Sequence, residues 1–253
     1  MLLTCLGVAA GGVPSPGGAG SGYLVQDGGT SLLVDCGNGV LGQAARYLPL
    51  QRLDAVYISH LHPDHFSDLY PLLLHRTRFG RLRVYAPPGA EAKFDAWFKL
   101  LSSNPDVYRG ALDLVEYEAG EVLKIGGLRV EPRAVEHNVP SFGCTIDAGR
   151  RRLAYSSDSR ACDALVELAR DAQLFLCEAT LQEGVGDAEF VRRQMMAHMT
   201  ANQAGQIAAK AGPRALVLTH LMYHLDAEVS KRQAQANCLC PVSAAREHAR
   251  YDL

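Results

Sequence analysis

Apolar residues in this chain gather into short runs closed by glycine, proline or polar residues. Residues 2–8, 22–27, 30–35, 55–58, 82–86, 142–147, 152–155, 173–177 and 215–219 all have this form. A short apolar run bounded by turn signals predicts a buried strand. Gly28-Gly29, between the second and third runs, predicts a hairpin. Between the runs lie stretches with helical periodicity: 39–48, 66–78, 90–101 around Trp97, and 161–170. A further helix is delimited by punctuation, because Thr200 with Gln203 forms a capping box at its start and Gly212-Pro213 ends it. Residues 112–135 read as short β runs broken by Gly120 and Gly126-Gly127, the stretch to 197 as less regular, and 226–253 as one helix and a closing strand or tail. No repeat at solenoid spacing occurs. Both halves read as strands followed by helices, a pattern satisfied by two face-to-face sheets with helices outside. The expected fold is therefore α/β, a four-layer αββα sandwich over 1–253 with one shared core.

Composition narrows this picture only slightly. At 48% hydrophobic and 21% charged residues the chain is an ordinary globular one, and a net charge of -2 gives no electrostatic reason for a nucleic-acid or membrane partner. The clusters Arg76, Arg78, Arg81, Arg83 and Arg150 to Arg152 read as solvated faces. The seven cysteines form no CxxC pair, and Cys238 with Cys240 is too isolated for a metal site, so reduced thiols in a cytoplasmic protein are expected. The opening MLLTCLGVAAGG lacks a basic segment and a signal-length apolar run, and no stretch approaches the apolar length of a membrane span.

The chemistry concentrates in AVYISHLHPDH, residues 55–65. An apolar strand ends at Ser59, and His60, His62, Asp64 and His65 come directly after it. Imidazole and carboxylate together suit zinc, manganese or iron, and the lack of cysteine argues against a closed structural zinc site. Pro63 predicts a shaped loop rather than a continuing helix or ladder. With His60 and His62 facing one way and Asp64 and His65 another, two adjacent metals fit better than one. His137, Asp158 and His220 also stand at strand ends or in the loops just after them. Asp35, in DCGNG, reads equally as a turn or capping residue and as an acceptor that orients a metal-bound histidine from behind.

The pattern HxHxDH, His, Asp, His resembles the metallo-β-lactamase superfamily of metal-dependent hydrolases. The pieces DCGNG, EHNVPSFG, YSSDS, CEAT, AHMTANQAGQIA and VLTH resemble its ribonuclease Z-like and small phosphodiesterase branch, over roughly residues 2–225. The resemblance implies one divalent metal on His60, His62 and His137, another on Asp64, His65 and His220, and Asp158 bridging them. It implies hydroxide held by the metals as nucleophile, Asp64 as a proton acceptor for the attacking water, and His198 in AHMTA assisting the leaving group. As a plain residue, His198 also reads as a polar helix flank. The helix start at Thr200 would favour a nearby phosphate.

Two departures stand out. Only one hairpin's length separates His137 from Asp158, where ribonuclease Z carries a tRNA-binding arm, so a small-molecule substrate is expected rather than tRNA. Second, Ser157 stands where the family commonly has glycine before the bridging Asp. The leading expectation is a dinuclear phosphodiesterase. The alternatives are a lactone or thioester hydrolase with the same site, and a non-catalytic metal-binding protein. Loops 11–22, 66–80 and 222–240 are expected to shape the pocket, and a homodimer is expected from the resemblance.

Overall fold

The computed structural model describes residues 1–12 and 17–253. Its strands form two seven-stranded sheets. The first half supplies β1 (Leu2–Gly7), β2 (Gly22–Asp27), β3 (Thr30–Val34), β4 (Ala55–Tyr57), β5 (Leu82–Ala86) and β6 (Leu112–Glu116). The second supplies β7 (Leu123–Ile125), β8 (Leu128–Val135), β9 (Ser141–Ala148), β10 (Arg151–Tyr155), β11 (Leu174–Glu178), β12 (Leu216–Thr219) and β13 (Val242–Ala244), and β14 (Arg250–Asp252) returns to the first sheet. The orders are β14-β1-β2-β3-β4-β5-β6 and β13-β12-β11-β10-β9-β8-β7. From β3 to β6 and from β10 to β13 neighbouring strands are parallel; β1 to β3 and β7 to β10 pair antiparallel.

Alternation along single strands explains why these runs are apolar throughout. In β2, Tyr23 and Val25 enter the core between the sheets while Leu24 faces the helices; in β11, Leu174 and Leu176 face inward while Phe175 and Cys177 face outward. One core fills the space between the sheets, and two more lie under the outer helices. That is the αββα layering, with strands buried on both faces. Against the first sheet lie α1 (Val40–Ala44), α2 (Pro63–Phe66), α3 (Leu69–Arg76), α4 (Ala90–Leu101) and α5 (Asp106–Ala111); the second half contributes α6 (Asp163–Ala169), α7 (Ala188–Gln194), α8 (Ala201–Ala211) and α9 (Ala227–Gln235).

Several boundaries depart from the sequence reading. The helix expected over 39–48 is α1 alone. The one expected over 66–78 begins only at Leu69, because the Asp68 N–H donates to the Cys36 carbonyl at 2.9 Å while the Asp64 carbonyl, its partner in a continuous helix, accepts from Ser21 N. The irregular stretch before 197 contains α7, capped by Asp187. After α9 the chain forms two short strands, and β14 closes the first sheet against β1. Arg76 is no solvated residue: it is buried and donates to the carbonyls of Gly80, Gln51 and Arg81. The Thr200–Gln203 capping box is present, and Gly212 ends α8 at φ 70°.

Candidate metal centre

The site lies off the carboxyl ends of the parallel strands, where open α/β sheets bind ligands. β3 delivers Asp35, β4 delivers Ser59 and His60, β10 delivers Ser157 and Asp158, β11 ends in Glu178, and β12 delivers His220. Asp35, Ser157 and His220 have φ of 57°, 55° and 53°. Side chains seldom adopt this left-handed region, and such strain concentrates at functional sites.

Pro63 acts differently from the expectation of a non-helical loop. It opens α2 at the first helical position, where its missing N–H leaves nothing unpaired. The turn swings Asp64 and His65 back toward the strand ends, where their carbonyls accept from Ser21 N at 2.9 Å and Cys36 N at 2.7 Å. Gly37 permits this approach, since a Cβ there would lie 1.9 Å from the Asp64 carbonyl oxygen.

All seven residues expected to hold metals come together. His60, His62, His137 and Asp158 offer donor atoms within 4.8 Å of one another, and so do Asp64, His65 and His220. Asp158 stands between the groups. Its Oδ2 is 3.6 Å from His60 Nε2 and 3.3 Å from His220 Nε2, and its Oδ1 is 3.3 Å from His65 Nε2. His198 joins Asp158 and His220 in a third group.

Most of these imidazoles are fastened by the nitrogen that faces away. His65 Nδ1–H donates to Asp35 Oδ2 at 2.8 Å, His137 Nδ1–H to the Ala197 carbonyl at 2.7 Å, and His220 Nδ1 lies 2.8 Å from Thr180 Oγ1. Asp35 is thus the rear acceptor, and the turn-residue reading is set aside. It also accepts from Ser59 N at 2.7 Å, Ser59 Oγ at 2.8 Å and Tyr155 O–H at 2.7 Å, the last from the opposite sheet.

The front of the cluster is only partly satisfied: His220 Nε2 meets Asp64 Oδ2 at 3.3 Å, His137 Nε2 meets His62 Nδ1 at 3.2 Å, and His65 Nε2 meets Asp158 Oδ1 as an ion pair at 3.3 Å. His60 Nε2, His65 Nε2 and Asp158 Oδ1 are buried without a hydrogen-bond partner. Such groups cost about 1–3 kcal/mol each unless something satisfies them. Neutral imidazole nitrogens and carboxylate oxygens converging on one space fit divalent metal ions of the zinc type.

Electrostatics divides the cluster. Burial holds His60 well below the ordinary imidazole value, and burial lowers His62 and His137 too, so all three are neutral donors. Burial works in the same sense on His65, but Asp158 and Asp35 outweigh it and hold that ring well above its ordinary value. Burial would raise Asp158, yet His220, His65 and His60 hold it well below the carboxylate range. Without a metal, then, one half of the site is neutral and the other is an ion-paired network that must shed a proton to bind a cation.

His198 has its own partner. Its Nδ1–H donates to Glu178 Oε1 at 3.1 Å, and Glu178 also accepts from Ser159 N at 2.7 Å and Thr180 O–H at 2.8 Å. Burial opposes the imidazolium, but the Glu178 charge and hydrogen bond prevail and raise His198 to about 9. Sequence reasoning gave Glu178, Thr180, Ser59 and Tyr155 no role. For Glu178 the available signal was a carboxylate closing an otherwise apolar strand.

The expected pocket loops fare unequally. Gly11 N donates to Asp64 Oδ2 at 2.8 Å, while residues 13–16 of loop 11–22 lie outside the described residues. Segments 66–80 and 222–240 are largely α3 and α9, with Leu69, Leu72, Leu73 and Ala234 packed into the outer cores.

Asp35→Asn should weaken uptake of one metal equivalent about 10–100-fold, since the rear partner of His65 loses its charge. Titration of the metal-free protein with zinc against a chromophoric chelator checks this. Equal affinity for both equivalents in parent and variant would count against the role.

Comparison with known proteins agrees with this geometry. A model of the beta-lactamase superfamily domain matches residues 30–221. The probable metallo-hydrolase YhfI of Bacillus subtilis is 32% identical over 231 residues, 87% of each chain. Its crystal structure superposes with a TM-score of 0.87 over 99% of both chains, at 27% identity. Ribonuclease Z of Myxococcus xanthus is 30% identical over 269 residues, covering 85% of each. The zinc phosphodiesterase ELAC protein 2 of Macaca fascicularis is 31% identical over 76% of this chain and 26% of its own length. With most of its length matched and the histidine–aspartate cluster in place, this chain belongs to the metallo-β-lactamase superfamily of metal-dependent hydrolases.

Proposed function

We propose that the chain is a phosphodiesterase acting on small phosphodiesters with two divalent metals, zinc as the expected pair and manganese or iron as the alternatives. The observation that carries this reading is a shared carboxylate, Asp158, between two donor groups, with an imidazole, His198, grouped beside it and ion-paired to Glu178 at 3.1 Å. His60, His62 and His137 would hold one ion, and Asp64, His65 and His220 the other. Such ions supply Lewis acidity and lower the pKa of a bound water to roughly 7.

The protein's own groups do the rest. Asp64 has its carboxyl held below the usual range: burial opposes this, but the His220 hydrogen bond and the His65 charge win. It is therefore ionised and, although the depressed pKa makes it a weak base, free to accept a hydrogen bond and then the proton of the attacking water. His198, protonated at neutral pH, gives its proton to the departing oxygen. The amino end of α8, two residues beyond His198, favours an anionic group. The relatives named ribonuclease Z and zinc phosphodiesterase support phosphate ester chemistry.

A small substrate rather than tRNA fits the chain between His137 and Asp158, whose regular structure is β9 and β10 turning at Gly149. The cytoplasmic reading rests on the seven cysteines, all unpaired thiols. No helix among the described residues is long and apolar enough to cross a membrane.

Metal content measured alongside bis-p-nitrophenyl phosphate hydrolysis tests the proposal. About two metals per chain and cleavage that returns on adding zinc or manganese are expected. Two metals with turnover only of lactones or thioesters would move the reaction to a carbonyl substrate. A chain that takes up no metal would overturn the whole reading.

A further inference from the structure

His60 is held from behind by two serine hydroxyls, with no carboxylate or carbonyl among the described residues at its rear nitrogen. Nδ1 lies 3.2 Å from Ser59 Oγ and 3.4 Å from Ser157 Oγ, and all three residues are fully buried. The donors can be traced one proton at a time. Ser59 O–H is committed to Asp35 Oδ2 at 2.8 Å, so toward His60 this oxygen can only accept. Ser141 O–H donates to the Asp158 carbonyl at 2.9 Å, so the contact of 2.9 Å between Ser141 Oγ and Ser157 Oγ takes its proton from Ser157. Ser157 Oγ is then also an acceptor toward the ring. Both hydroxyls demand a proton on Nδ1, which leaves the Nε2 lone pair bare and facing the site.

We propose that Ser157 is a positioning residue: with Ser59 it locks His60 in the Nδ1–H tautomer and presents Nε2 as a metal donor. The inference rests on the dinuclear reading above, but its first readout needs no metal. Ser157 pays for the arrangement with a φ of 55°, a conformation that glycine adopts without strain. The hydroxyl chain also ends on the carbonyl of Asp158, so it couples the orientation of His60 to the residue shared between the two donor groups.

The test compares the parent protein with Ser157→Gly. In metal-free protein, long-range proton–nitrogen NMR of the imidazoles should show His60 as the Nδ1–H form in the parent and a measurable added share of the Nε2–H form in the variant, where the Ser59 hydroxyl at 3.2 Å is the one acceptor left. Titration with zinc against a chromophoric chelator should show one equivalent weakened about tenfold and the other unchanged. The metal-free melting temperature should stay within about 2 °C, because relief of the left-handed strain offsets the lost hydrogen bonds. An unchanged tautomer with unchanged zinc affinity overturns the proposal. So does a large fall in melting temperature with both equivalents weakened alike, which marks a structural role. If the parent takes up no zinc, the dinuclear reading falls, while the tautomer comparison still decides the role of Ser157.

Discussion

Asp158→Asn should bind at least one metal equivalent fewer and lose hydrolysis by about a thousandfold or more, beyond the 10–100-fold typical of a partner one layer behind the ligands. The carboxylate stands within 3.6 Å of His60, His65 and His220, so no other side chain can replace its charge toward both donor groups. The metal-free fold should feel the change far less. Asparagine keeps the volume, and histidines that lose their counter-charge can release protons rather than remain buried cations. The two effects separate in melting curves. A metal present at a hundred times its dissociation constant adds about 2.7 kcal/mol of stability, worth roughly 5–11 °C for a chain of this size. The parent should show that rise on adding zinc, and Asp158→Asn should show little of it while melting close to the parent when both are metal-free. An equal zinc-induced rise in the variant would mean that Asp158 does not hold the metals.

The candidate metal donors are legible because cation chemistry needs particular donors at short range, and HxHxDH packs four of them into six positions after an apolar run. His137, Asp158 and His220 were legible for a second reason: each comes just after a strand, and the carboxyl ends of the parallel strands meet in one place. The hidden part depends on contacts between distant segments. Glu178 is one carboxylate in an apolar strand, and its task becomes visible only when Ser159 and His198 fold onto it from 19 and 20 residues away. Asp35 reads equally as a turn residue and a rear acceptor until His65, 30 residues along the chain, donates to it and Tyr155 joins from the other sheet. The break between α2 and α3 and the burial of Arg76 have the same origin. Helical periodicity does not report that the Asp68 N–H is taken by the Cys36 carbonyl, or that three carbonyls converge on one guanidinium.

His198→Ala should slow cleavage of diesters with poor leaving groups about 10²–10⁴-fold, and of p-nitrophenyl esters far less, because a phenolate of low pKa departs without a proton. Metal content should be unchanged, since His60, His62 and His137 form one donor group and Asp64, His65 and His220 the other without it. Glu178 makes the assignment separable from simple packing. Its carboxylate is what lifts His198 to about 9 against the opposing effect of burial. A group raised in this way is protonated below its pKa and loses its proton as pH rises, so turnover limited by His198 as acid should fall on the alkaline side. Bound dications disfavour the imidazolium, so that limb lies at or below about 9. In Glu178→Gln the same limb should move toward the ordinary histidine value near 6.5, and activity at pH 8 should drop while activity at pH 6 largely survives. A uniform loss at every pH, or equal losses with good and poor leaving groups in His198→Ala, would remove His198 from the role of acid and leave it as a polar flank of α8.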